Sequence, residues 1–341
     1  MSTVKRIEFG NYTLKFGEDK VLLDMFDDVV MPSFHEMRYI RKLKDKGEYF
    51  FLDTKIIVLN DDKSNPELGI TGRIVKNTKL KREQIFSKEG GLVEKAGELE
   101  TAPSSTFLLV LSNHRLILCQ ETTGAPNIQN FQSTSQYCLS ARYNEFIQEE
   151  YDKDKKEKEK NDEYSPRTKK SLKEHTPRPF LRITPLPDKQ DLNSFVGRFK
   201  HIDELTIKLL PTNNEEIDND DFWASLDNVR NEMNSRRTSL KFTNTKEGLN
   251  PEQALEQTSS ATDLGNSEVK FKGYDEQGDT IKGSNDDFSL TVELENIPKD
   301  VESAAHVKYD QFMHLVQSQV IKLPQLVDHA AEKVKSIFER L

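Results

Sequence analysis

Two side chains on one predicted strand have a spacing that could support hydrolytic chemistry. Glu268 and Lys270 lie two residues apart, so they would share one face of that strand. A restriction-type nuclease uses such a pair, with an upstream aspartate, to hold magnesium and polarise water. Asp263 lies upstream but in a predicted helix-to-strand turn, which is poor geometry for a shared metal. Alternating Glu and Lys is also common on exposed strands, so a magnesium-dependent nuclease is kept as an alternative.

The rest of the sequence predicts no catalytic residue, no metal site and no cofactor. It contains no G-x-x-x-x-G-K-[ST] or G-x-G-x-x-G phosphate loop and no G-x-S-x-G nucleophile elbow. Cys119 lies in an apolar strand and Cys138 on a predicted helix, and neither has the paired spacing of a zinc site. We therefore expect two buried free thiols in a reducing compartment.

Clustered basic residues are the other chemical signal, because the chain is acidic on average. Its net charge is −9 and its pI is about 5.5, which argues against a protein coated uniformly for nucleic acid or anionic membrane. Local clusters can still contact phosphates, since those contacts depend on local potential. The residues predicted to contact DNA are Arg73, Lys76, Lys79, Lys81, Arg82, Lys169, Lys170, Arg236, Arg237 and Lys241.

Strands and helices alternate irregularly in both halves of the chain, which predicts an α+β fold. Phe107–Leu111 and Leu116–Gln120 read as two strands on either side of a polar turn. Their apolar runs are too continuous for a solvated sheet, so this hairpin should be buried on both faces. Lys5–Phe16 is expected to form a hairpin around Gly10, and Ser87–Ala102 an irregular loop.

The length of 341 residues is typical of two domains. Residues 152–176 hold almost no large apolar side chain and read as a charged linker, or as the charged tail of the preceding helix. We therefore predict an N-terminal α+β domain at 1–151 and a C-terminal α+β domain at 177–341. The latter should end in helices from Asp300, interrupted at Pro324, which could pack on their own domain or on a second copy.

The localisation expected from the sequence is cytoplasmic. The first residues contain no apolar signal segment, and no apolar stretch approaches the length of a membrane span.

Three segments of the sequence carry a resemblance to a known family. They are FLLVLSNHRLILCQETTGAP with the helix after it, IDELTIKLLP, and VKFKGYDEQGDTIKGSNDDFSL before the C-terminal helices. In this order they resemble the RexA exclusion proteins of lambdoid phages and related uncharacterised phage and prophage proteins, with the turn Asp275–Asp279 as the nearest match. The resemblance implies a DNA-binding homodimeric sensor in an antiviral system, acting with a membrane or nuclease effector encoded nearby. It transfers no binding residue to this sequence.

The leading hypothesis is therefore a non-enzymatic homodimer that binds duplex DNA largely without sequence preference in anti-phage defence. The sequence lacks a recognition-helix or zinc-finger motif, so phosphate contacts would dominate. The alternatives are the magnesium-dependent nuclease effector and an adaptor or inhibitor that contacts only protein. The DNA-binding hypothesis requires the cations of this acidic chain to gather on one surface.

Overall fold

Two antiparallel sheets and eight helices organise the residues that the computed structural model describes, which are 4–44, 46–213, 221–235, 237–324 and 328–341. Strands and helices are mixed in both halves of the chain, so the α+β fold class predicted from the sequence is confirmed. The strands are β1 (Val4–Phe16), β2 (Lys20–Val21), β3 (Arg41–Leu43), β4 (Gly47–Asn60), β5 (Glu67–Ser87), β6 (Gly91–Thr101), β7 (Ser104–Val110), β8 (Arg115–Gln120), β9 (Pro179–Pro185), β10 (His201–Leu209), β11 (Thr238–Thr243), β12 (Ser267–Tyr274), β13 (Thr280–Ser284) and β14 (Thr291–Glu295). The helices are α1 (Met31–Ser33), α2 (Ile128–Lys160), α3 (Lys169–His175), α4 (Lys189–Val196), α5 (Asp221–Glu232), α6 (Pro251–Thr262), α7 (Val301–Gln317) and α8 (Asp328–Phe338), with short 3-10 or π turns at Leu22–Met25, Phe26–Val30 and Asn285–Phe288.

The larger sheet contains ten strands and the smaller sheet four. Neighbours in the larger sheet follow the order β14, β1, β8, β7, β5, β4 and β3, while β2 and β9 also pair with β1 and β6 pairs with β5. The smaller sheet has the order β11, β10, β12 and β13. Strand β1 therefore joins segments that are far apart in the chain.

The first predicted hairpin is wrong, because Val4–Phe16 is one continuous strand. Gly10 lies inside it, opposite Leu116 of β8 on one side and Pro185 of β9 on the other. A Cβ atom at Gly10 would stand 2.8 Å from Cγ2 of Ile183. This glycine therefore permits close packing of a neighbouring side chain and does not form a turn.

The predicted loop Ser87–Ala102 is also wrong, because most of it forms strand β6 and folds back along β5. Gly91 has a φ of +66°, a conformation that glycine adopts without strain, and it lies where the chain reverses between the two strands. Both faces of this hairpin are largely exposed, so the segment is rich in Glu and Lys and lacks the alternation of apolar and polar residues that predicts a strand.

The apolar hairpin β7–β8 is buried on both faces, as predicted. Phe107 and Leu109 belong to the core beneath α2, whereas Leu108 and Val110 belong to the core beneath α7. The first core contains a cluster of four aromatic rings whose centroids lie 4.8 to 6.4 Å apart, namely Phe34, Phe51, Phe107 and Phe131. Helices on both sides thus explain why these strands lack a polar face.

The predicted boundary at 152–176 does not divide the sheets. Strands β9 and β14 follow that segment in sequence, yet both form ladders with β1. The segment itself is the end of α2, a turn and α3, so the charged-tail interpretation applies to its first part. Arg167 anchors the turn to α2 through a 2.8 Å ion pair with Asp154, whose pKa this hydrogen-bonded pair holds well below its usual range.

The predicted C-terminal helices are present as α7 and α8, on either side of Pro324. Both pack on their own chain. Phe312 of α7 belongs to one core of the larger sheet, and Val334 and Ile337 of α8 belong to the other.

The smaller sheet is covered by helices on one face. Its inward side chains form a third core with α4, α5 and α6, which includes Phe195, Trp223 and Phe271. The turn before β12 contacts the larger sheet at Asn11 of β1, whose side-chain amide donates to the carbonyl of Gly265 at 3.2 Å. The opposite face of the smaller sheet is open.

Lys308 of α7 is a lysine enclosed between helix and sheet. It has no exposed surface, and its Nζ has no hydrogen-bond partner among the described residues. Burial lowers the pKa of Lys308 to about 7, against a smaller opposing effect of Cys119 and Glu121, while Arg73 and Lys5 add to the lowering. The folded chain therefore holds this proton less tightly than the unfolded chain does.

Replacing Lys308 with Met should raise the free energy of unfolding by about 2 kcal/mol at neutral or lower pH, because no charge then has to be buried. In the native protein, stability should rise as the pH increases from about 7 towards 10.5, since only the unfolded chain keeps the proton in that window. The substitution should remove this rise. Urea unfolding at several pH values measures both effects.

The exposed Lys63→Met variant is the matched control and should follow the native pH profile. A destabilised Lys308→Met variant with an unchanged pH profile would contradict the assignment of a neutral buried lysine.

Candidate nucleic-acid interface

The open face of the smaller sheet results from simple strand alternation. Along β10, Leu205 and Ile207 point into the core, so Glu204, Thr206 and Lys208 point away from it. The pairing registers then place the outward residues of the other strands beside them, because directly opposed residues share a face. The lysines of this open face are Lys208, Lys241, Lys270, Lys272 and Lys282.

The lysines lie in neighbouring rows across all four strands. Thr206 stands between Lys241 of β11 and Lys270 of β12. Lys272 of β12 is directly opposite Lys282 of β13. Glu204 of β10 is opposite Lys272 on its other side, so this row holds two lysines and one glutamate, and its net positive charge suits an anionic partner.

Glu268 is one of two glutamates on the open face, and three cations surround it. Its carboxylate lies 3.3 Å from Arg182 of β9, 3.6 Å from Lys208 and 3.3 Å from Lys270. Burial opposes its ionisation, but the three cations outweigh burial and lower its pKa below the ordinary value. Glu268 therefore holds three cations in place, and its single negative charge leaves this part of the surface positive.

Glu204 is the second glutamate of the face. Its carboxylate lies 2.8 Å from Nζ of Lys241, and this hydrogen-bonded pair lowers its pKa. The open face thus carries five lysines and Arg182 against two glutamates, with Asp287 at its β13 end. The cations outnumber the carboxylates on this face, in a chain whose net charge is −9.

Most of this surface was missed by sequence reasoning. Lys241 was predicted as a DNA contact, and Lys270 entered only the nuclease alternative. The spacing of Lys270 and Lys272 on one predicted strand could have indicated that both lysines lie on the same face. Lys208, Lys282 and Arg182 come from separate strands, so only the sheet pairing brings them near it.

The basic cluster predicted on β5 is dispersed among carboxylates. Arg73 forms ion pairs with Asp53 and with Glu121, and it also donates to the carbonyl of Lys299. Its side chain is only 19% exposed, so it is committed to contacts within the protein.

The remaining predicted residues of β5 extend from the sheet into the hairpin with β6. Lys76 lies opposite Tyr49, Lys79 forms a 2.9 Å ion pair with Glu98, and Lys81 is opposite Glu98 in the ladder. Arg82 is opposite Gly97, in a row that points to the other face of the hairpin. The structure does not bring these four side chains onto one surface.

The other predicted residues are also separated. On α3, Lys169 contacts Gln148 and lies over the ring of Tyr151, and Lys170 is 3.9 Å from Glu174. Arg237 is exposed just before β11, and Lys241 belongs to the open face. Arg236 lies outside the described residues.

The proposed nuclease residues do not assemble a metal centre in the described ranges. Glu268 is engaged by its three cations, and Asp263 lies 3.9 Å from Lys189, with burial raising its pKa. Where the structure describes the chain, no group of three or more His, Cys, Asp or Glu side chains could hold a metal ion. Cys119 and Cys138 are free and buried, as predicted, and burial raises the pKa of both.

The class of protein defined by these features is a mixed α+β fold with an open basic sheet. Residues 167–309 match a family model described as Domain of unknown function (DUF4747), so less than half of the chain is similar to that family. The whole open face, from β10 to β13, lies within the matched region. A search of curated proteins finds no match. None of the helices in the described ranges is both long enough and apolar enough to cross a membrane.

Replacing Arg182 with Ala should raise the pKa of Glu268, because the variant lacks one of the three cations that stabilise its carboxylate. NMR titration of the Glu268 carboxyl carbon measures the shift. The Lys63→Ala variant changes an exposed loop lysine and should leave that pKa unchanged. An unshifted Glu268 in the Arg182→Ala protein would show that the ion pair across the two sheets does not form.

Proposed function

We propose that this protein binds duplex DNA largely without sequence preference, through the open basic face of the smaller sheet. The observation that carries the proposal is the concentration of Lys208, Lys241, Lys270, Lys272 and Lys282 on one solvent-facing surface. Lysine is a flexible point charge that contacts phosphate without reading bases. The proposal thus keeps the activity expected from the sequence and moves its centre from β5 to β12.

The spacing of the charges supports contact with several phosphates at once. Residues two apart on a strand are separated by about 7 Å, and neighbouring strands by about 5 Å, so Lys270, Lys272 and Lys282 form a compact array. Each phosphate that a lysine neutralises releases a bound counterion, which makes the affinity strongly dependent on salt.

Replacing Lys270, Lys272 and Lys282 together with Gln should weaken DNA binding about tenfold or more at moderate salt. The slope of log affinity against log salt should fall by about 0.9 for each phosphate that the variant no longer neutralises. These side chains are exposed, so the fold should be retained. Fluorescence anisotropy with unrelated duplex sequences, over a range of salt concentrations, measures both quantities.

The matched control replaces Lys76, Lys79 and Lys81 of β5 with Gln and removes the same charge. Its affinity should stay closer to that of the native protein. A larger loss of DNA affinity in the control than in the open-face variant would place the interface at the β5 cluster predicted from the sequence.

The magnesium-dependent nuclease remains a second candidate because Glu268 and Lys270 do share the open face, as their spacing predicted. The binding proposal expects plasmid DNA to be retarded on a gel and to stay intact with magnesium. Cleavage that Lys270→Ala abolishes would establish the nuclease instead. Absence of any salt-sensitive DNA affinity would favour the protein-only adaptor.

The resemblance to exclusion proteins extends the proposal to anti-phage defence. Efficiency of plating on cells that express the native protein with its neighbouring genes, compared with cells that express the triple Gln variant, tests this role. Protection that does not depend on the open-face lysines would separate defence from DNA binding.

A further inference from the structure

The hairpin of β5 and β6 extends beyond the larger sheet. Strand β7 pairs with β5 as far as Val75 and β4 as far as Asn77, and from Thr78 onward β6 is its partner in the ladder. We call the hairpin from Thr78 to Thr101 the arm. Both of its faces are exposed along most of their length.

One face of the arm carries four large apolar side chains. Leu80 is opposite Leu99, and Phe86 is opposite Leu92, and all four alternate onto the same side of β5. Their exposed fractions are 58%, 65%, 74% and 74%, respectively. An isolated two-stranded hairpin is at best marginally stable in water, so this face requires cover.

The other face of the arm is different. Near the sheet it carries the charged pairs Lys79 with Glu100 and Lys81 with Glu98. Only near the tip does it present Ile85 opposite Val93, which are less exposed than the four residues of the apolar face. The apolar surface is therefore concentrated on one side.

The apolar face also carries one cation and one carboxylate. Arg82 and Glu94 lie between the two apolar rows, Arg82 opposite Gly97 and Glu94 opposite Gln84. The Arg82 guanidinium extends across the ribbon, because a Cβ atom on Gly97 would stand 3.0 Å from its Nη2. One cation and one carboxylate give the face no net charge, as a self-complementary contact requires.

We propose that the arm is a dimerisation surface, on which two copies of this chain pack their apolar faces together about a two-fold axis. With the axis between the row of Arg82 and the row of Gln84, the row of Leu80 and Leu99 meets the row of Phe86 and Leu92 of the second copy. The same operation places the second copy's Glu94 over Gly97, where the Arg82 guanidinium lies. Both copies make both contacts.

The size of the arm sets the expected strength. Ten residues of β5 span about 34 Å, and two such faces together bury on the order of 1,000 Å², the lower end of specific interfaces. The dimer should therefore dissociate in the micromolar range and be concentration-dependent.

Sedimentation equilibrium of the full-length protein, from about 1 to about 100 µM, tests the proposal. The native protein should pass from monomer to dimer over this range, and the double variant Leu80→Ser, Phe86→Ser should stay monomeric. Val93→Ser, on the other face of the arm, is the matched control and should dimerise as the native protein does. A native protein that is monomeric at every concentration, or a Val93→Ser protein that fails to dimerise, would overturn the proposal.

A charge exchange tests the arrangement without removing apolar surface. Arg82→Glu and Glu94→Arg should each weaken the dimer about tenfold or more, because each homodimer then faces like charges twice. An equimolar mixture of the two variants should recover the dimer, since a chain with two glutamates at these positions would then face a chain with two arginines. Two weakened single variants that do not recover when mixed would contradict this packing.

Discussion

Backbone pairing along β1 is the constraint on which the arrangement of this protein depends. Strand β1 pairs with β8 on one side and with both β9 and β14 on the other, so segments from late in the chain complete the sheet. Such long-range pairing has to overcome loop-closure entropy, and the apolar cores on both faces of the larger sheet offset it. Strand β9 also carries Arg182, whose guanidinium reaches Glu268 of the smaller sheet. The same ladder that completes the core thus helps to build the basic face.

The two sheets differ in their balance of charge, although both carry ion pairs between lysines and glutamates. On β5 and its arm, lysines lie close to carboxylates on β6, and Arg73 is enclosed by Asp53 and Glu121. Exposed pairs of this kind contribute little to stability and leave little net field. On the open face of the smaller sheet, cations outnumber carboxylates, and the side of that sheet that needs burial is already covered by helices. A polyanion would therefore meet a net positive charge there, which the arm does not offer.

The arm and the open face represent two different uses of exposed strands. The open face is polar and charged, so water can hydrate its side chains when no anionic partner is bound. The arm exposes Leu80, Phe86, Leu92 and Leu99 to water, and an exposed apolar patch of this kind is typical of a contact surface. A second copy that covers the arm would also double the number of basic faces in one particle, which raises the effective concentration of the second face once the first is bound.

The sequence by itself determined the local elements with a strong periodic signal. The hairpin of β7 and β8, the α+β mixture and the helices on both sides of Pro324 all follow from apolar patterning. Prediction from the sequence was wrong at Gly10, because a glycine needed for close packing looks like one needed for a turn. It was also wrong at the arm, because a hairpin exposed on both faces has no pattern of alternating buried residues. It also placed a domain boundary at 152–176, since composition reports solvent exposure and carries no information on strand pairing. Only the tertiary structure decided which lysines share a surface, because the face is assembled from strands far apart in sequence, and pairing register, which depends on the packed core, brings their side chains together.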